Sequence, residues 1–124
     1  YQSQTSPRRV LDLPGAGNSG VPFAERPNVT AVYPGAGGGK SLILNGHIDV
    51  VSSEPNVNWT RDPWAASIEG RRMYGRGAYD MKCGTALNFF LARVIRDLGI
   101  QLEGDLIVES VIEEECTGNG ALAG

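Results

Sequence analysis

Three stretches of this chain hold the residue types that metal and acid–base chemistry require. The first is His47-Ile48-Asp49, which contains the single histidine of the sequence. Side chains alternate along a strand, so His47 and Asp49 share a face. There the carboxylate can hold one imidazole nitrogen while the other meets a metal. The plainer reading is a hydrogen-bonded structural histidine at a strand end. The second stretch is Glu113-Glu114-Glu115, placed directly after the apolar run Leu106–Ile112. Adjacent carboxylates repel one another and resist desolvation. They form either a solvated turn or the surroundings of a cation, which stabilises them as anions. The third is Asp80, which reads either as a helix cap or as a ligand. To reach the other two stretches it must be carried over by Gly75-Arg76-Gly77-Ala78-Tyr79, whose glycines permit a sharp path. Cys83 and Cys116 lack the spacing of a zinc cage and read as reduced packing residues. Pro34–Ser41 (PGAGGGKS) imitates a phosphate loop, but Pro34 stands where the first glycine belongs. A strand rather than a helix is expected after Lys40, so the amide cradle is missing and a flexible hairpin loop is the simpler reading.

The elements that must position these residues emerge from the hydrophobic pattern. Residues 1–27 are polar and rich in Gly, Pro and Arg, and read as an extended or loop-like lead-in. Asn28–Tyr33 alternates and is β-branched, predicting a strand. A second strand is expected over Ser41–Asn45, running on through His47 to Val51, and the glycine-rich connection suggests that the two form a hairpin. Residues 52–75 are irregular, with a short strand pair around Ile68 and Met73-Tyr74 that turns at Glu69-Gly70. From Met81 onward Leu87, Phe90, Leu91, Val94, Ile95 and Leu98 recur at helical spacing, and Gly99 sits where a C-cap belongs. Leu106–Ile112 is a further, mostly apolar strand. A strand–helix–strand unit demands parallel strands, so His47 and Glu113–Glu115 emerge at the same carboxyl edge. Ligand sites in open α/β sheets lie at that edge.

Composition narrows the class. A chain of 124 residues suits one domain, and 41% hydrophobic with 20% charged residues excludes a disordered tail. No apolar run approaches the ~20 residues of a spanning helix, so no membrane partner is expected. A net charge of −3 gives no electrostatic footprint for nucleic acid. Two cysteines cannot build a disulfide framework, which points to a reducing compartment, the cytoplasm.

Taken together, LILNGHIDVV (42–51), WTRDPW (59–64), YGRGAYDMK (74–82), the helix with GIQLEGD after it (99–105) and EEECTGNG (113–120) resemble a family of di-zinc amide hydrolases. It contains acetylornithine deacetylase, succinyl-diaminopimelate desuccinylase, aminoacylase and carboxypeptidase G. The likeness covers residues 28–124 and implies the N-terminal part of a zinc-peptidase-like catalytic domain: an α/β fold with a mixed, largely parallel sheet flanked by helices. It implies His47 as a zinc ligand, Asp49 as the carboxylate orienting it, and Asp80 as the carboxylate bridging two metals, with a cis peptide after it that turns it toward the site. Glu114 corresponds to the general base and Glu115 to a ligand of the second metal. Glu113 stands where an aspartate is usual and receives no role.

Two divalent ions are implied, Zn2+ first, with Co2+ or Mn2+ also compatible with these donors. The implied reaction is hydrolysis of an N-acyl amino acid or small peptide-like amide by metal-activated water. The family's third carboxylate, second histidine and lid or dimerisation domain have no counterpart among these residues. The expectation is therefore a fragment, inactive alone, that needs the remainder of the polypeptide and functions in a homodimer. The competing expectation is a non-catalytic module of the same fold that binds metal weakly or not at all.

Overall fold

The computed structural model describes residues 16, 17 and 19–122. Most of the expected lead-in, residues 1–15 and 18, lies outside them. The described residues form five strands: β1 (Val29–Tyr33), β2 (Leu42–His47), β3 (Ser67–Glu69), β4 (Arg72–Tyr74) and β5 (Leu106–Val111). The main helix α1 spans Cys83–Asp97 and a single turn, α2, spans Asn119–Leu122.

β1, β5 and β2 form a mixed sheet with β5 in the middle. β2 runs parallel to β5, pairing Leu42 with Leu106 and His47 with Val111, whereas β1 runs antiparallel to it, pairing Val29 with Ser110. The expected β1–β2 hairpin is therefore absent. Parallel pairing of β2 with β5 requires a crossover, which α1 provides, and the pairing leaves β5 between the two strands that are neighbours in sequence. The glycine-rich connection is fastened to the approach to β5 instead. Ala36 N–H donates to the Leu102 carbonyl at 2.8 Å, Gly37 N–H to Glu103 at 2.8 Å and Gly35 N–H to the Asp105 carboxylate at 2.9 Å. After Lys40 the chain enters β2, so the helix that a phosphate loop needs is absent at this position.

The core sits on the central strand. Leu106, Val108 and Val111 are the buried apolar residues among those described. A strand that is paired on both sides and covered by α1 loses most contact with water, which explains its near-continuous apolar sequence. Leu42, Ile43, Leu87 and Phe90 remain more than half exposed. β3 and β4 make the short antiparallel pair that the sequence predicts, pairing Ile68 with Met73.

α1 ends as its sequence predicts. Gly99 N–H donates to Arg96 and Ile100 N–H to Ile95, both at 3.0 Å, in the paired pattern of a Schellman cap. Its beginning differs from the expectation of an Asp80 cap. The cap position is Lys82, without a side-chain cap bond. Asp80 and Met81 lie in the distorted turn Ala78–Lys82 with non-helical dihedral angles, and the peptide bond between them is cis. The Asp80 side chain makes no cap bond to the helix and faces His47 instead. Among the described residues, no helix is long and apolar enough to cross a membrane.

Candidate metal centre

β2 and β5 end side by side, and their parallel register sets the position of His47. Ile48 N–H donates to the Val111 carbonyl at 2.9 Å, extending the pairing one step past His47. His47 therefore leaves the sheet next to the turn that carries the three glutamates. α1 and its cap residue Lys82 grip the same strand end from the side. The Thr85 hydroxyl donates to the His47 carbonyl at 3.0 Å, the Asn88 amide to the Asn45 carbonyl at 3.1 Å, and Lys82 Nζ to the Ile48 carbonyl at 2.9 Å. A Cβ on Gly46 would sit 2.8 Å from the Thr85 hydroxyl, so the absent side chain is what lets helix and strand approach. Gly77, at φ +77°, makes the bend that the sequence predicts before Asp80.

The result is convergence of residues far apart in sequence. One ligand atom from each of His47, Asp80 and Glu115 lies within 4.8 Å of the other two. The imidazole Nε2 faces Asp80 Oδ1 at 3.0 Å and Glu114 Oε2 at 3.8 Å. His47 is only 4% exposed, whereas Asp80 and Glu114 are 68% and 51% exposed. A buried nitrogen donor thus stands behind open carboxylates.

The partners of the imidazole determine what this arrangement can hold. Nδ1 lies 3.0 Å from the main-chain carbonyl of Asp49. A carbonyl can only accept, so Nδ1 carries a proton and presents Nε2 to the carboxylates. An ionised carboxylate also only accepts. The space beside Nε2 therefore calls for positive charge, supplied by a proton or by a metal ion. Burial alone would depress the His47 pKa. The Asp80 hydrogen bond, the Asp49 carbonyl and the charges of Glu114 and Asp49 outweigh it and hold the pKa above 6.5. One imidazole and two carboxylates form a nitrogen–oxygen donor set that suits zinc and other divalent ions, so the residues fit the metal that the sequence suggests.

The Asp49 carboxylate does not hold the imidazole as the sequence reading expects, because the main-chain carbonyl of the same residue takes that place. The carboxylate lies 3.6 Å from Nδ1, farther than the carbonyl. The two carboxylate oxygens instead accept the main-chain N–H groups of Glu114 at 3.2 Å and Glu115 at 3.1 Å. Asp49 therefore ties the His47 strand end directly to the glutamate turn.

Glu113 is the residue that sequence reasoning passed over. Its side chain is 2% exposed and accepts from Arg26 and Ser19 at 2.8 Å each, from Thr117 at 3.0 Å and from Asn119 at 3.2 Å. Burial would raise its pKa, but the bonds from Arg26, Ser19, Thr117 and Asn119 prevail and hold it below 4.5. Three identical glutamates in a row carry no local signal of which one turns inward, and the partners Ser19 and Arg26 lie 94 and 87 residues away.

A family model described as Peptidase family M20/M25/M40 matches residues 43–124. The chain belongs to this family. The matched segment of this M20 chain contains His47, Asp80 and all three glutamates. Among its relatives is an N-formyl-4-amino-5-aminomethyl-2-methylpyrimidine deformylase of Bacillus subtilis (strain 168). It is 44% identical over 82 residues, which make up 66% of this chain and 19% of the relative. A deformylase of the same name from Halalkalibacterium halodurans is 43% identical over 95 residues, 75% of this chain and 22% of the relative. A succinyl-diaminopimelate desuccinylase of Gluconobacter oxydans (strain 621H) is 51% identical over 61 residues, 49% of this chain and 15% of the relative. The chain spans about a fifth of the length of the deformylases it matches.

Proposed function

We propose that, within the complete protein, these residues form part of the active site of a metal-dependent hydrolase. The enzyme would remove a small acyl group from the nitrogen of an N-acyl amino acid or related amide. The observation that carries this reading is the convergence of His47, Asp80 and Glu115, with the Glu114 carboxylate 3.8 Å from the imidazole Nε2. The relatives named for removing a formyl or a succinyl group support acyl removal as the reaction class.

His47, Asp80 and Glu115 would hold divalent cations, with zinc the best match to the donor set and Asp80 the carboxylate they would share. When bound, such an ion would polarise the amide carbonyl and lower the pKa of water toward neutrality. Glu114 takes a proton from the attacking water and returns it to the nitrogen of the leaving amine. Its half-exposed side chain can reach a substrate, and its main-chain N–H is fixed to Asp49. Asp49 keeps the imidazole in the tautomer that offers Nε2 outward and holds both glutamates in place. The remainder of the polypeptide would complete the ligand set and supply the pocket that selects the acyl group, in a homodimer. The two unpaired cysteines fit a cytoplasmic protein.

The test is Glu114→Gln in the complete protein. The expected result is unchanged metal content with turnover of N-formyl or N-succinyl amines reduced by about 10²–10⁴-fold, the usual contribution of a positioned acid–base group. Turnover close to that of the unmodified protein would remove Glu114 as the base.

A further inference from the structure

Glu113 differs from its two neighbours in every respect. Glu114 and Glu115 reach toward the metal-binding edge, while Glu113 turns the opposite way into a buried ring of donors. Its backbone has φ +58°, a conformation that a glutamate keeps only when its surroundings hold it there. That bend aims the next two residues at His47 and Asp80.

The holding groups come from both sides. On the C-terminal side, Thr117 and Asn119 donate to one carboxylate oxygen, and the Glu113 carbonyl accepts Thr117 N–H at 3.2 Å and Gly118 N–H at 2.7 Å. On the N-terminal side, Ser19 and Arg26 donate to the other oxygen. Arg26 also folds its own segment, donating to the Val21 and Pro22 carbonyls at 3.0 and 2.9 Å. Gly17 is bound twice to the Asn119 side chain, at 3.2 and 3.0 Å. The described part of the segment from Gly17 to Arg26, which reads in the sequence as a mere lead-in, is thus bonded at three of its residues to the glutamate turn and to Asn119 beyond it. Together with Asp49, Glu115 and Cys116 it also lines a cavity of about 370 Å³ on the flank of the metal-binding edge.

We infer that this N-terminal strap is a positioning element of the site: Ser19 and Arg26, acting through Glu113, set the backbone that places Glu114 as base and Glu115 as metal ligand. None of the three touches the reacting groups. Asp49 pins the turn from the metal side through the amides of Glu114 and Glu115, and the strap pins it from behind. The inference rests on the proposed role of Glu115 as a metal ligand.

The test measures Zn2+ affinity of the complete protein by competition with a chromophoric chelator, alongside the thermal midpoint of the metal-free form. Arg26→Met should weaken Zn2+ binding by about 10–100-fold, the usual effect of losing a group that orients a ligand. Arg26→Lys, which keeps one charged donor toward Glu113, should recover part of that loss. Ser19→Ala, which removes a single hydroxyl, should weaken binding several-fold and decides the matter if Arg26→Met does not fold. Glu115→Ala serves as the reference. If Glu115→Ala leaves Zn2+ affinity unchanged, the ligand assignment fails, and this inference with it. If Glu115→Ala weakens binding while Ser19→Ala and Arg26→Met lower only the thermal midpoint, the strap is purely structural and the inference is overturned.

Discussion

Replacing Asp49 separates two tasks that one residue performs. Its carboxylate accepts two main-chain N–H groups, from Glu114 at 3.2 Å and Glu115 at 3.1 Å, while its carbonyl receives His47 Nδ1 at 3.0 Å. Asp49→Ala keeps the carbonyl and removes both carboxylate bonds. Hydrogen bonds to a charged partner contribute about 1.5–3 kcal/mol each. Asp49 is 25% exposed, which places each bond near the lower end, so the pair is worth about 3 kcal/mol. If that loss falls on the placement of Glu114 and Glu115, transition-state stabilisation drops by about a hundredfold, at 1.36 kcal/mol per factor of ten. Asp49→Asn retains one oxygen for one amide and turns an NH2 group toward the other, so it should lose about tenfold. The assay is kcat/KM of the complete, metal-loaded protein on an N-acyl amine, paired with Zn2+ affinity. The order expected is unmodified, then Asn, then Ala. Equal effects of Asn and Ala would refute the two-amide argument, because charge alone would then account for the loss. An Asp49→Ala protein within twofold of the unmodified one would refute the role altogether.

Other contacts carry outcomes of their own. Lys82→Met removes the bond to the Ile48 carbonyl that joins the Asp80 turn to the His47 strand end. It should weaken Zn2+ binding about tenfold, and an unchanged affinity in a chelator competition would dismiss this link. Leu106→Ala opens a cavity beneath the central strand at a position only 1% exposed. It should lower the stability of the complete protein by about 2–5 kcal/mol in chemical denaturation; a loss below about 1 kcal/mol would show that β5 is not the core. The 124-residue chain expressed alone should self-associate, because Leu42, Ile43, Leu87 and Phe90 present apolar surface. Sedimentation velocity showing a monodisperse monomer with a cooperative melt would contradict this.

The sequence made the route to the site legible because each step rests on local chemistry. Apolar spacing from Leu87 to Leu98 and the glycine after it define α1, and the strand–helix–strand rule then makes β2 and β5 parallel. That alone brings His47 and the glutamates to one edge. Strand pairing was less legible. A glycine-rich connection between adjacent strands suggests a hairpin, yet the backbone donors of Gly35, Ala36 and Gly37 are taken by residues 102–105, and β5 inserts between the two strands. Long-range pairing of this kind leaves no mark within either strand. Asp80 is ambiguous between cap and ligand in the sequence, since both uses place a carboxylate just before a helix, and only the course of the turn takes it out of the cap position. Glu113 was illegible for a different reason. Its burial depends on Arg26 and Ser19, and nothing in the local composition of either segment points to the other.

The position of bound metal tests the central claim most directly. A crystal of the complete protein grown with Zn2+ and measured at the zinc absorption edge locates the ion without reference to activity. The expected result is an anomalous peak about 2.0–2.2 Å from His47 Nε2 and from carboxylate oxygens of Asp80 or Glu115. A protein that binds zinc elsewhere, or that leaves this edge without an anomalous peak at saturating Zn2+, would contradict it.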